Sequence, residues 1–438
     1  MQIATYPGAQ QWTWWQKNLF RFFVILFTLY IEPWTYINFF PGAYKITEPY
    51  YQFQLWCVEG ANRNLFHVKE VLTPLNGSGD TSYGFAQLYL YVTVAIVGAI
   101  VWAILGRKSK NHNAVSYWFI LFARYFLIYN CLIYGFDKLF LLQMSFPNTS
   151  QLATPLGDFL PMRLSWMFMG YSSTYQCFSG ILEIIAALLL LFRRTSTLGL
   201  FFAGGIFLNV MMLNLSYDIP VKLFSIQLFL LCLFMLSFEA KRIFSFFVLN
   251  KSAEATAIYS VRFEKRWMRI LRILLKLSIV IFGILMPFYN TWQVYADQQN
   301  IVSNPILPRG VYEVNAFSKN NDGIPYNPTD SLRWGDLIVD TQNMGSIATK
   351  DTLFRQRYGR GYFNFTVDEK NKSIAFNKNS MTGDSVFLFK MNYTIPDSNT
   401  IQLSGMIQKD TIFVSLKKTK RHFQLEERQF HWMSEYNR

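Results

Sequence analysis

The sequence predicts a membrane α-helical bundle of about seven transmembrane helices, followed by a carboxy-terminal antiparallel β domain that is a sandwich or small barrel. Three observations predict it. Of 438 residues, 52% are hydrophobic and only 16% charged, and the apolar residues come in blocks of about 20, the length that crosses a bilayer core. Lys and Arg collect at the ends of those blocks. After Pro287 the long runs stop and short stretches of period-two alternation replace them. The domains expected are 1–290, helical, and 291–438, β.

In order, the spans run from about Leu19 to Phe40, Phe85 to Leu105, Ala114 to Leu142, Tyr171 to Phe192, Leu198 to Leu213, Val221 to Phe238 and Ile270 to Tyr289. Arg21 sits inside the first, which is too long for a cleavable signal peptide and is not followed by a small-residue cleavage site. Alternate threading of seven spans puts four basic groups on one side: Lys17 with Arg21, Arg107 to Lys110, Arg193 with Arg194, and Lys241 to Arg269. By the positive-inside rule the amino terminus is cytoplasmic and everything after the seventh span lies outside. The net charge of +14 is then a matter of topology: the partner is the lipid bilayer, and no nucleic acid is expected.

Two long loops fall on the outer face, Pro41 to Gly84 and Phe146 to Gly170, either functional caps or irregular connections. The β stretches are Val311 to Phe317, Gly335 to Asp340, Tyr362 to Val367, Ser385 to Lys390, Thr400 to Gly405 and Thr411 to Leu416. Gly359 and Gly361, among Arg355, Arg357 and Arg360, read as a hairpin turn with basic flanks in preference to an anion site. The closing aromatic run, Arg428 to Tyr436, is expected to dock.

Glu183 is the first candidate for function. An ionisable residue within a membrane helix costs roughly 2.5–3.5 kcal/mol on insertion scales and normally faces a partner or a cavity. Gln176, Gly180 and Glu183 share one helical face, as do Asn130, Tyr134, Asp137 and Leu141, with Arg124, Cys131 and Lys138 in a heptad beside them. Asn209, Asn214, Asp218 and Lys222 follow two helices later. The functional reading is a substrate or cofactor pocket in the outer half of the bundle, with Glu183 and Asp218 as its catalytic carboxylates. The structural reading stands beside it: the amides hydrogen-bond across helices, Asp218 with Lys222 caps a helix end, and Arg124 pairs with Glu183 or with backbone carbonyls. The four histidines and four cysteines show no metal-ligand or redox spacing, so no metal is expected. Gly204 and Gly205 read as a close helix contact.

The run ARYFLIYNCLIYGFDKLF, around Arg124 to Lys138, and the run SGILEIIAALLLLFRRTSTLG, from Ser179 to Gly199, resemble the signature halves of the DoxX family of small four-helix membrane proteins. The core so marked covers about 114–240. The whole chain is similar to a long form in Bacteroidetes-type bacteria, in which GSGDT, FMGYS, RRTSTLG, YDIPVKL and the closing FHW recur. The resemblance implies a bacterial inner membrane, with the β domain periplasmic. DoxX-like proteins are similar to a thiosulfate:quinone oxidoreductase subunit and, distantly, to the membrane bundle of vitamin K-dependent carboxylases. Implied first is a quinone-linked oxidoreductase component, in which Tyr134, Asp137, Lys138, Glu183 and Asp218 bind and protonate a quinone headgroup and a redox partner carries the electrons. The alternatives are a non-enzymatic module whose β domain binds an envelope protein, and a carboxylase-like enzyme acting on a lipophilic or peptide substrate.

Overall fold

A computed structural model describes residues 12–40, 42–252, 265–300, 304–327, 332–379, 385–428, 430–433 and 435. The chain divides into two compact units. One comprises Met1–Gln143 with Thr174–Tyr295, the other Met144–Ser173 with Ala296–Arg438. The division falls at 295 in place of the expected 290, and the second unit takes in a segment from between two spans.

The helices, in chain order, are α1 (Trp14–Ile31), α2 (Tyr44–Ala61), α3 (Ser82–Leu105), α4 (Asn113–Leu139), α5 (Thr149–Leu152), α6 (Pro161–Tyr171), α7 (Ser173–Leu191), α8 (Ser196–Ser216), α9 (Lys222–Ser237), α10 (Ala240–Phe247), α11 (Arg266–Val280), α12 (Met286–Gln299) and α13 (Gln424–Glu427). Of these, α5, α6 and α13 belong to the second unit. A capping box between Thr13 and Gln16 starts α1, and the Thr81 hydroxyl accepts from Gly84 N to start α3.

In the helical unit Phe20, Phe27, Leu127, Cys131, Ala187, Leu190, Ala203, Phe207 and Leu231 share one buried core. Among the described residues, six helical segments are long and apolar enough to cross a membrane: Trp14–Asn38, Ser82–Leu105, Asn113–Leu139, Ser173–Leu191, Ser196–Ser216 and Arg266–Gln299. A seventh exists only if α9 and α10, bent by 80°, count as one. The expected sixth span, Val221 to Phe238, is a 16-residue helix; at 1.5 Å per residue it covers about 24 Å, short of a hydrocarbon core of about 30 Å. Gly204 packs on Cys232 of α9, whereas Gly205 meets open space, so half of the expected glycine contact forms.

The second unit contains an antiparallel β-barrel. Its strands are β1 (Gly310–Lys319), β2 (Asp322–Gly323), β3 (Asp336–Val339), β4 (Met344–Ile347), β5 (Arg355–Arg357), β6 (Arg360–Asp368), β7 (Ser373–Asn379), β8 (Ser385–Asp397), β9 (Thr400–Ile407) and β10 (Asp410–Thr419). Eight of them close in the order β1-β3-β4-β6-β7-β8-β9-β10, and β10 pairs back onto β1 from Val311↔Thr419 to Lys319↔Ile412. The short β2 and β5 hang from β1 and β6. A closed eight-stranded sheet has an interior that side chains just fill. Here Trp334, Phe365, Phe376, Ile347 and Leu403 fill it, with Phe376 stacked on Phe389 at 4.9 Å. The β5–β6 hairpin turns through Tyr358 and Gly359, both at positive φ (53° and 68°). Glycine takes that conformation without strain.

The segment 144–173 packs within this unit. Ser150, fully buried, donates from Oγ to Asp340 Oδ2 (2.6 Å) and accepts from Ser346 Oγ (2.7 Å). Arg360 Nε donates to Ser346 Oγ (2.7 Å), and the same guanidinium pairs with Asp336. Arg163 Nε reaches Tyr358 Oη at 3.1 Å. The closing aromatics do not dock: Phe430, Trp432 and Met433 stand exposed. Gln429, Ser434 and Tyr436 lie outside the described residues.

Candidate functional site

Two glycines place the candidate site. A Cβ built on Gly180 of α7 would lie 2.6 Å from the carbonyl oxygen of Gly135 on α4, and one built on Gly135 would lie 3.1 Å from the Gly180 oxygen. Only residues without a side chain let the two backbones come so close. Three residues further along each helix, on the same face, stand Lys138 and Glu183. Lys138 Nζ donates to Glu183 Oε1 at 2.7 Å, with side-chain exposures of 7% and 3%. The ammonium also lies 5.6 Å from the centre of the Tyr134 ring, within cation–π range.

Glu183 is therefore not the unquenched acid that the sequence suggested, and its partner is not Arg124. Arg124 lies fourteen residues before Lys138 on α4, about 21 Å along the axis, with its guanidinium 5.6 Å from the Tyr125 ring centre. It is buried, and among the described residues its Nε has no hydrogen-bond partner.

Around the pair some polar capacity is unused. Glu183 Oε2 and both amide atoms of Gln176, itself 1% exposed, have no hydrogen-bond partner among the described residues. Gln176 stands two turns before Glu183 on the same face of α7. A buried carboxylate oxygen accepts, and a carboxamide both donates and accepts. The three atoms keep unused hydrogen-bonding capacity, and Lys138 and Glu183 stand close enough to share a proton. Asp137 is half-buried, and its backbone carbonyl accepts from Leu142 and Gln143.

The remaining predicted residues do not join this site. Asn130 donates to Phe126 O of its own helix (2.8 Å) in place of the expected cross-helix bond. Asn209 is exposed on α8. Asn214 donates to Val221 O at 3.4 Å. Asp218, its side chain 81% exposed, pairs with Lys222 at 2.7 Å. An exposed carboxylate paired in this way is no deep catalytic acid.

That second corner centres on Asp80, which the sequence marks only as part of the turn-rich GSGDT run. Asp80 accepts from Lys222 N (2.8 Å) and Leu223 N (3.0 Å), capping α9, while Ser78 Oγ and Gly79 N both donate to Pro220 O (3.0 Å each). The two runs GSGDT and YDIPVKL thus meet each other. Not among the expected residues is Glu32, at the end of α1. Its Oε1 accepts from Tyr50 (2.9 Å), Gln54 (2.6 Å) and Tyr91 (3.0 Å). A carboxylate inside the first apolar run was the signal for it, by the same argument that singled out Glu183.

Among the described residues no group of three or more His, Cys, Asp or Glu could hold a metal. No family model matches the chain, and no solved structure matches it. The chain is 33% identical over 124 residues to an uncharacterised protein of Bacillus subtilis (strain 168), YwoB. The match takes in 28% of this chain and 79% of that protein.

Proposed function

We propose, for a chain that belongs to the family of the uncharacterised Bacillus subtilis protein YwoB, that it is a multi-pass protein of a bacterial inner membrane whose helical unit binds the polar head of a lipophilic molecule at Lys138, Glu183 and Gln176. The six apolar helices support the membrane setting. In this reading the chain is DoxX-like, its amino terminus is cytoplasmic and its barrel periplasmic. The observation that carries the binding site is the buried Lys138–Glu183 pair with polar atoms left over on Glu183 and Gln176. A pair serving stability alone is weak design, because desolvation offsets most of its attraction.

A quinone is the class of molecule assigned, since the hydroxyl of its reduced form can donate to the Glu183 carboxylate and the carbonyl of its oxidised form can accept from the Gln176 amide. When bound it would supply two-electron, two-proton chemistry, and the electrons would pass to a redox partner. Gln176 would orient the oxygen at one end. Glu183 would hold or return the proton at the other, with Lys138 keeping the carboxylate charged between turnovers. In purified full-length protein, quinone should co-purify and be lost in Glu183→Gln. Absence of quinone from the wild-type protein would overturn the assignment.

A second reading rests on the same ion pair. With a cation already at 2.7 Å, Glu183 could serve only to join α4 to α7, leaving the barrel to bind an envelope protein. Deletion of residues 300–438 would then abolish the phenotype of the intact gene while Glu183→Gln preserved it. The binding reading predicts the reverse.

A further inference from the structure

A groove of about 510 Å³ opens between α1 and the end of α3, within the helical unit. Lys17, Arg21 and Arg107 line its polar end, Ile100 and Ile104 belong to its apolar wall, and no carboxylate is among its lining residues. The cations there meet neutral acceptors. Arg21, only 5% exposed, donates from Nε to His112 Nε2 (3.2 Å) and from a terminal nitrogen to Asn18 Oδ1 (2.9 Å). Lys17 Nζ donates to Ser109 O (3.2 Å). The guanidinium of Arg21 is therefore held in place before any ligand arrives, and the positive charge at this end of the groove has no counter-charge in its lining. Beyond it the wall turns apolar and open, with Ile100 and Ile104 each more than half exposed, and Trp14 at the rim is 65% exposed.

A site that is cationic and preformed at one end and apolar along its length is complementary to an amphiphile with an anionic head. We propose that this groove binds one anionic phospholipid. The phosphate lies against Lys17, Arg21 and Arg107, an acyl chain follows Ile100 and Ile104, and Trp14 sits at headgroup level. The proposal rests on the membrane reading above, and it concerns none of the residues of the Lys138–Glu183 site. Free phosphate would use the same cations but would leave the apolar wall uncovered, which is the reason for assigning the site to lipid.

The test is native mass spectrometry of the full-length protein in detergent, supplied with phosphatidylglycerol or with phosphatidylcholine, for the wild type and for Lys17→Gln/Arg107→Gln. Each cation contributes about fivefold to attraction of an anionic lipid, so the double variant should hold phosphatidylglycerol roughly twenty-five-fold more weakly and phosphatidylcholine unchanged. Equal retention of phosphatidylglycerol by both proteins, or equal loss of both lipids, would overturn the proposal. Displacement of the lipid by inorganic phosphate would assign the site to a free anion and overturn it as well. Recovery of the wild-type chain from the soluble fraction of cells would instead overturn the membrane reading, with the lipid comparison still to be read independently in detergent.

Discussion

The carbonyl oxygen of Gly135 lies 2.6 Å from where a Cβ on Gly180 would be, and this closeness of α4 and α7 is what lets Lys138 reach Glu183. A methyl group at Gly180 has backbone against it and must push the helices apart. Gly180→Ala should cost about 1–3 kcal/mol through overpacking. It should also lengthen the Lys138–Glu183 contact, giving a lower melting temperature together with weakened headgroup binding. Gly205→Ala, whose Cβ would meet nothing within 4 Å, is the control and should leave both unchanged.

Breaking the ion pair from one side leaves a buried charge alone. Lys138→Met should therefore destabilise the helical unit by about 3–5 kcal/mol, whereas Lys138→Met with Glu183→Leu should be close to neutral. Thermal or denaturant unfolding of the two single variants and the double variant gives the coupling between the residues.

The clamp between the 144–173 segment and the barrel is a separate prediction. Asp340→Ala removes the acceptor of Ser150 and leaves that fully buried hydroxyl with one contact fewer, at a cost of about 1–3 kcal/mol. Limited proteolysis should then cut between 144 and 160 at protease levels that leave the wild type intact.

His112 lies outside the candidate spans. Its imidazole is held below its ordinary pKa by burial first, then by Arg21 and Lys17. Its Nε2 accepts from Arg21, which requires the neutral ring. A base with a lowered folded pKa binds fewer protons folded than unfolded below about pH 6.5, so its contribution is full above that value and falls as the solution is acidified. The melting temperature should drop as the pH falls below about 6.5, and His112→Gln should flatten the slope.

The architecture was largely legible, and the site only partly so. Blocks of apolar residues and period-two stretches announce helices and strands because burial imposes a period. The short period-two stretches between Val311 and Leu416 therefore point to an antiparallel barrel or sandwich. Glu183 stood out because charge is costly among apolar side chains. Its partner was misjudged because Arg124 and Lys138 are equivalent on a heptad, and only the height at which Gly135 meets Gly180 selects Lys138. Asp218 stands exposed for a related reason: it pairs with Lys222, whose backbone is held by Asp80 across about 140 residues. The Ser150–Asp340 clamp carries no periodicity, since a lone serine in the four-residue α5 and a single carboxylate just after β3 give no sequence signal.

If the buried Lys138–Glu183 pair exists to hold a guest, a folded protein lacking the pair loses the guest and nothing else. Lys138→Met/Glu183→Leu should melt like the wild type yet carry no quinone after purification, while the wild type carries it. Wild type and double variant with equal quinone content, whether both loaded or both empty, would contradict the account.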